Sequence, residues 1–365
     1  MFSVKVGPPL IGLLGLGLFV ACGAEGESLD AGTSDAAPVD VGAPLDGNFG
    51  ADVGDAGEPV DAAPPDLGEP SLGRWEVRAT LPEGPRQETA VVALGDEIVV
   101  VGGFDENAAF GAVVEAYRPS DDRWRRLADV PARLHHANAA VAQGRLYVLG
   151  FLATAFQHDA RAWVYEASAD RWDPLAPLAP TRARGSAAVA VLDDRIYLIG
   201  GLRNGASVPD FDVYDPMTGA WTPLPPLPRA ADHLVAGGIG GRIYAVGGRG
   251  GAINGHTPQV DVYDPATGLW SAGPPMPTSR GGMAGAVLGE ALYVFGGEGN
   301  TGVASGVFDE VERLDPGLNL WTTLAPMAPG RHGTGAASLD GRIYVPGGAS
   351  VQAFGAVDRV EVFIP

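Results

Sequence analysis

The sequence predicts an all-β fold, a propeller of six four-stranded antiparallel blades, on four repeating series of residues. Trp75, Trp124, Trp172, Trp221, Trp270 and Trp321 stand 49, 48, 49, 49 and 51 residues apart. Glycine pairs keep step with them: Gly102-Gly103, Gly200-Gly201, Gly247-Gly248, Gly296-Gly297 and Gly347-Gly348, with Gly150-Phe151 in the second unit. Two further series lie between these markers. Tyr147, Tyr197, Tyr244, Tyr293 and Tyr344 precede the glycines; Tyr117, Tyr165, Tyr214, Tyr263, Leu314 and Phe363 follow them. A period near 50 residues with four short strands per unit is the signature of propeller blades.

The stretch from Gly241 to Trp270 shows one unit in order. Ile243 to Val246 is a continuous apolar run, as expected of a strand buried on both faces. Gly247-Gly248 ends it, and a polar loop follows. Val260 to Tyr263 alternates in character. Asp264 to Gly268 is turn chemistry: proline presets φ, glycine permits positive φ, and aspartate bonds its own backbone. Trp270 opens the outermost strand. A Gly-Gly after the second strand, an aromatic in the third and a tryptophan in the fourth resemble the kelch repeat, over residues 74 to 365. The resemblance implies a fold rather than a function, because kelch propellers include both partner-binding scaffolds and a few enzymes.

The two ends of the repeat are complementary. Trp75 to Leu81 has the character of an outermost strand with no inner strands before it, whereas His332 to Pro365 supplies three strands and stops. The fragments add up to a sixth blade, so the N-terminal strand is expected to close the ring, removing the exposed sheet edges of an open array.

Ahead of the ring lie two other regions. Met1 to Ala21 reads as a secretion signal, with Lys5 in a positive n-region and an apolar segment from Leu10. Its end, Leu18-Phe19-Val20-Ala21-Cys22, resembles a bacterial lipobox, which makes Cys22 the expected lipidation site; a plain secretory signal or an uncleaved membrane helix are the alternatives. Gly23 to Gly73 is rich in Asp, Ala, Gly and Pro and holds 12 acidic residues and no cation. With little apolar surface to offset chain entropy, residues 22–73 are expected to be a disordered tether. They carry no EF-hand spacing.

The 365-residue chain has a formal net charge of −20, and Lys5 is its only lysine. That balance argues against nucleic acid as a partner. A single cysteine excludes an intrachain disulfide.

Antiparallel blades place the loops between second and third strands on the same face as the connections between blades. These loops are long and differ between blades: 104–112, 152–160, 202–209, 249–258, 298–308 and 349–356. Rigid strands carrying variable loops are the usual form of a binding surface. The connections contain Arg86, Arg133, Arg182, Arg184, Arg229, Arg280 and Arg331, just before the strand nearest the channel. Two readings stand side by side: arginines bonding neighbouring carbonyls to maintain the repeat, or a ring of guanidinium forks facing an anionic ligand. His135, His233 and His332 follow closely, among six histidines with His136, His158 and His256. No pair has a metal-site spacing, so packing or turn hydrogen bonds are expected of them, and no metal or cofactor is implied. Glu115, Asp212, Asp261, Glu312 and Glu361 recur two residues before the third-strand marker, with Trp163 in the second unit. They read as structural acceptors. The glycine pairs lack phosphate-loop spacing, and no Gly-x-Ser-x-Gly elbow is present.

These features lead to an exported, lipid-anchored monomer of the bacterial cell envelope, placed at the outer membrane because Gly23 follows Cys22, touching membrane only through its lipid. Its long-loop face would bind a protein or a small anionic or carbohydrate ligand. The alternative is a carbohydrate-active enzyme resembling the kelch sialic-acid mutarotases and epimerases. The resemblance also raises galactose-oxidase-like chemistry, but that copper centre needs a cysteine–tyrosine pair, and the lone cysteine lies in the leader. A purely structural envelope role is the third reading.

Overall fold

The structure, a computed structural model, describes residues 72–365. The segment read as a secretion signal, Cys22 and the acidic stretch up to residue 71 lie outside the described residues. Six four-stranded antiparallel sheets form the blades. The first runs through Ala90–Leu94, Glu97–Val101, Val114–Arg118 and Arg123–Arg126, from the channel outward. The sixth joins Ala337–Leu339, Arg342–Pro346 and Val360–Ile364 to the N-terminal strand Arg74–Arg78, with Trp75 opposite Phe363. The ring therefore closes through the N-terminal strand, as the two fragments predict.

Each repeat marker has a contact that explains it. Every outer-strand tryptophan donates its indole N–H to a carbonyl just beyond the preceding blade, from Trp75 to Ala325 at 3.1 Å and Trp124 to Ala79 at 2.8 Å through to Trp321 and Pro274 at 2.9 Å. The third-strand tyrosine packs against the same tryptophan, for example Tyr214 on Trp221 with centroids 5.0 Å apart. The glycine pairs dock on the next blade's connection. Gly296 has φ +58, and a Cβ there would sit 2.0 Å from the Arg331 carbonyl, while Gly297 N–H donates to that carbonyl at 2.9 Å. Only glycine combines that φ with that approach.

The second blade departs from the pattern. With Phe151 in place of a second glycine, the strand does not end. It continues as Arg145–Leu152 with a register shift between Leu149 and Phe151, and its partner runs His158–Glu166. In the third blade, the expected 202–209 loop is itself a hairpin of Leu202–Arg203 with Ala206–Ser207. Its turn residues Asn204 and Gly205 both have positive φ, as this dipeptide favours.

The core lies between blades. Val99, Val101, Val114 and Ala116 of the first blade pack on Leu146, Val148, Phe151 and Trp163 of the second. Each fully buried side chain of this size contributes about 1.5–3 kcal/mol. The innermost strands leave an axial channel of about 400 Å³ lined by small residues such as Val92, Ala140, Gly238 and Ala286. The long loops and the connections do share one face. A β-bridge joins the two in all six blades, from Gln87 with Phe104 to His332 with Ala349.

Candidate functional site

Six of the seven candidate arginines are tied to a carboxylate instead of facing the channel mouth. Arg86, Arg184, Arg280 and Arg331 are 4% exposed or less, and each is paired with the carboxylate of its own blade. The pairs are Arg86 with Glu115, Arg184 with Asp212 at 2.8 Å, Arg280 with Glu312, and Arg331 with Glu361 at 2.7 Å. Arg229 is part-buried on Asp261 at 2.9 Å, and Arg182 is a second guanidinium on Asp212 at 2.6 Å. The forks also donate to carbonyls at the ends of strands, such as Arg280 to Gly296 at 2.8 Å and Arg331 to Gly347 at 2.6 Å. Burial lowers Arg331 to about 10, against the raising effect of Glu361, so it remains a cation near neutrality. This is the repeat-maintaining arrangement, and it corrects the placement of a free cationic ring. Arg133 is the exception. Its blade has Trp163 where the others have a carboxylate, and Arg133 is exposed, bonded to the Phe110 carbonyl at 2.7 Å.

The mouth is built instead by the residue two places beyond most of these arginines. Glu88, His136, Ser186, His233, Gly282 and Gly333 occupy one repeat position in blades one to six, and all six have φ between 50° and 71°. Their backbones form a closed circle. His136 N–H donates to Glu88 at 3.0 Å, Ser186 to His136 at 2.9 Å, His233 to Ser186 at 3.2 Å, Gly282 to His233 at 3.0 Å and Gly333 to Gly282 at 3.1 Å; Glu88 donates to Gly333 and completes it. Glycine meets this φ without strain. A side chain there costs about 1–3 kcal/mol each and persists only where its surroundings hold it.

Four residues carry such side chains, and three of them converge. His136 Nε2 lies 3.0 Å from Glu88 Oε2 and 3.1 Å from His233 Nε2. Asp232 accepts from His233 Nδ1 and from the Ser207 hydroxyl. Arg249 reaches His233 Nε2 at 3.1 Å and pairs with Asp232 and Glu298. His332 Nδ1 faces Glu298 at 3.6 Å and Glu88 at 3.8 Å, while its Nε2 donates to the Val351 carbonyl at 3.0 Å. The His135 ring lies 4.1 Å from Phe104, tilted by 34°, with one nitrogen 2.6 Å from His136 Nδ1 and the other 3.0 Å from the Ala153 carbonyl. Burial raises Glu88 to about 7, aided by Glu298 and opposed by His332 and Arg249. Burial also pushes Glu298 up, but His332, Arg249 and His233 outweigh it and hold the carboxyl below its ordinary range. His136 is driven well below its usual value by burial and then by His233. Above this floor opens a cavity of about 260 Å³, bordered by Phe104, Phe156 and Phe354.

The kelch motif profile matches residues 85–131, 183–228, 233–277 and 279–328, more than half of the chain. The chain belongs to the kelch family. It is 34% identical to the kelch-like protein terF of Aspergillus terreus, over 81% of this chain and 69% of that protein. It is also similar to kelch-like protein 35 of Mus musculus (29% identical over 49% of this chain) and to beta-scruin of Limulus polyphemus (27% over 48%), but spans only 29% and 20% of their lengths. The solved structure of YjhT superposes with a TM-score of 0.65 at 16% identity, covering 78% of this chain and 96% of that one. At that identity the likeness concerns the fold alone.

Sequence reasoning placed His135, His233 and His332 near the channel but missed Glu88, His136, Asp232, Arg249 and Glu298. A usable signal existed within the kelch repeat. Aligning the blades on Gly102, Gly150, Gly200, Gly247, Gly296 and Gly347 shows, 14 residues earlier, polar side chains in four blades and glycine in two.

Proposed function

We propose that this kelch propeller is a binding module whose partner docks on the long-loop face over the channel mouth. Kelch propellers generally mediate protein interactions, and one observation carries the placement. Phe156 and Phe354 are 42% and 51% exposed on the rim of the cavity, above a floor that holds Glu88, Arg249 and Glu298. Apolar rings around a charged, enclosed floor suit a partner that inserts one polar side chain or sugar ring between them. A photo-crosslinking amino acid at Phe354, compared with one at Met217 in the Asp215–Gly219 turn, tests the face in cells. Adducts at Phe354 that disappear on Phe156→Ser are expected, and adducts confined to Met217 would refute the placement. Charge reversal at Arg242 and Arg342, beside short turns, should change nothing.

The same proposal includes export and anchoring. The support is the lipobox-like Leu18 to Cys22. Cys22→Ser should abolish labelling by a radioactive fatty acid, and an unlabelled wild type would remove the anchor and the outer-membrane location with it. A second reading, acid–base chemistry on a sugar, is favoured by the near-neutral Glu88 beside His136. Its measure is anomeric or epimeric exchange of a supplied sugar by NMR, lost in Glu88→Gln.

A further inference from the structure

The geometry points to a divalent transition-metal site at the channel mouth, held by Glu88, His136 and His233. One ligand atom from each lies within 4.8 Å of the other two. Two of the separations are tighter, 3.1 Å between the Nε2 atoms of His136 and His233 and 3.0 Å from His136 Nε2 to Glu88 Oε2. A tetrahedral ion with bonds of about 2.0–2.1 Å spaces its ligand atoms by roughly 3.3 Å. Two of the three spacings therefore already match a bound ion.

The outer nitrogens settle which atoms face inward. His233 Nδ1–H donates to the Asp232 carboxylate, which leaves the lone pair on Nε2. His135 Nε2 donates to the Ala153 carbonyl, so its Nδ1 accepts from His136 Nδ1, leaving a second lone pair on His136 Nε2. The two lone pairs meet beside Glu88 and call for an electrophile between them. A carboxylate or neutral acceptor on the far nitrogen is also how metal-bound histidines are oriented and made more basic. Arg249 donates to His233 Nε2 in this structure, and on metal binding it would give up that contact while keeping Asp232 and Glu298.

The backbone adds an independent observation. All three ligands sit on the circle of left-handed residues, with φ of 55°, 50° and 52°, where Gly282 and Gly333 show what an unloaded position carries. Two imidazoles and one carboxylate suit zinc and its neighbours rather than magnesium or calcium. Three protein ligands leave a fourth position, open to the cavity below Phe156 and Phe354, for water or a donor atom of a ligand. The inference deepens the reading above and rests on it in taking this mouth as the functional surface.

The test uses the full chain, stripped by chelator, dialysed against zinc and assayed for metal by mass spectrometry, with cobalt absorption as a second readout. The wild type is expected to bind one zinc at this site. His136→Gly and His233→Gly should each weaken binding more than about a hundredfold, and Asp232→Asn by roughly 10–100-fold. Glycine suits the left-handed backbone, so both glycine variants should keep the wild-type melting temperature. Should they unfold, Glu88→Gln is expected to show the same loss without a change of shape. Undiminished zinc in the double glycine variant would place the ion elsewhere, the acidic stretch before residue 72 included, and overturn the site. A wild type that retains no more zinc than that variant would do the same. Normal zinc with no crosslink at Phe354 would remove the partner reading alone, and a crosslink without zinc would remove this one alone.

Discussion

Arg280 lies wholly inside its blade, with Glu312 as ion-pair partner and the Thr278 and Gly296 carbonyls as further acceptors. Truncating it would leave a buried carboxylate unpaired. Arg280→Ala should therefore lose about 3–5 kcal/mol in urea denaturation, whereas Arg133→Ala, at the surface, should stay within about 0.5 kcal/mol. The second blade shows the same rule from the other side. There both halves of the pair differ at once: Trp163 stands for the carboxylate, and the arginine is outside. Trp163 stacks on Phe151, centroids 5.8 Å apart at 25°, and Arg161 lies over both rings at 5.5 and 5.6 Å. An aromatic stack has replaced a buried ion pair, and Phe151, the departure from the glycine pair, is part of it.

Between elements, the first two blades carry an extra clasp on their predecessors. Asp122 accepts the Ala79 N–H at 3.0 Å and the Tyr117 hydroxyl at 2.6 Å, while Trp124 of the same blade donates to the Ala79 carbonyl at 2.8 Å. Asp170 repeats this with Ala128 at 2.8 Å and Tyr165 at 2.7 Å. In the third and fourth blades Gly219 and Gly268 hold that turn position, also at positive φ. Both aspartates sit below their ordinary pKa of 3.8: Asp122 mainly through the Ala79 N–H and then Tyr117, Asp170 mainly through Tyr165 and then Ala128. A depressed carboxylate stabilises the fold above its unfolded pKa, and that contribution is lost as pH falls through the folded value. Thermal melts between pH 5 and pH 2 should therefore fall less steeply for Asp122→Asn/Asp170→Asn than for the wild type. Parallel curves would show that the clasps contribute nothing.

At the scale of the whole molecule, the ring depends on its closing strand. Trp75 donates to Ala325 and packs on Phe295 and Phe363 at 5.7 and 5.1 Å, so the N-terminal strand joins the fifth blade to the sixth. Deleting residues 73–81 exposes a sheet edge and strips this tryptophan, a loss of about 3–5 kcal/mol for the side chain alone. Calorimetry should show a markedly lower melting temperature for that deletion and an unchanged one for deletion of 23–70. Equal effects would refute the closure energetics.

The blade count, the closing strand and the long-loop face were legible in the sequence because each rests on local needs that repeat. A strand must alternate or run apolar, a glycine must stand where a Cβ would strike a carbonyl, and a tryptophan must reach the preceding blade. The Asn204-Gly205 turn was equally local and could have been read. Burial of the repeat arginines was not legible, since Arg280 and Glu312 are 32 residues apart and the same spacing fits a fork turned toward the channel. Nor was the mouth cluster. His136 and His233 stand 97 residues apart, in blades that meet only because the ring closes. Glu88, His136 and His233 acquire their common direction from a left-handed backbone circle that no single blade can form. Local pattern determined the blades; which side chains face one another across the axis was decided by the tertiary structure, because contacts across a ring depend on every blade being in place.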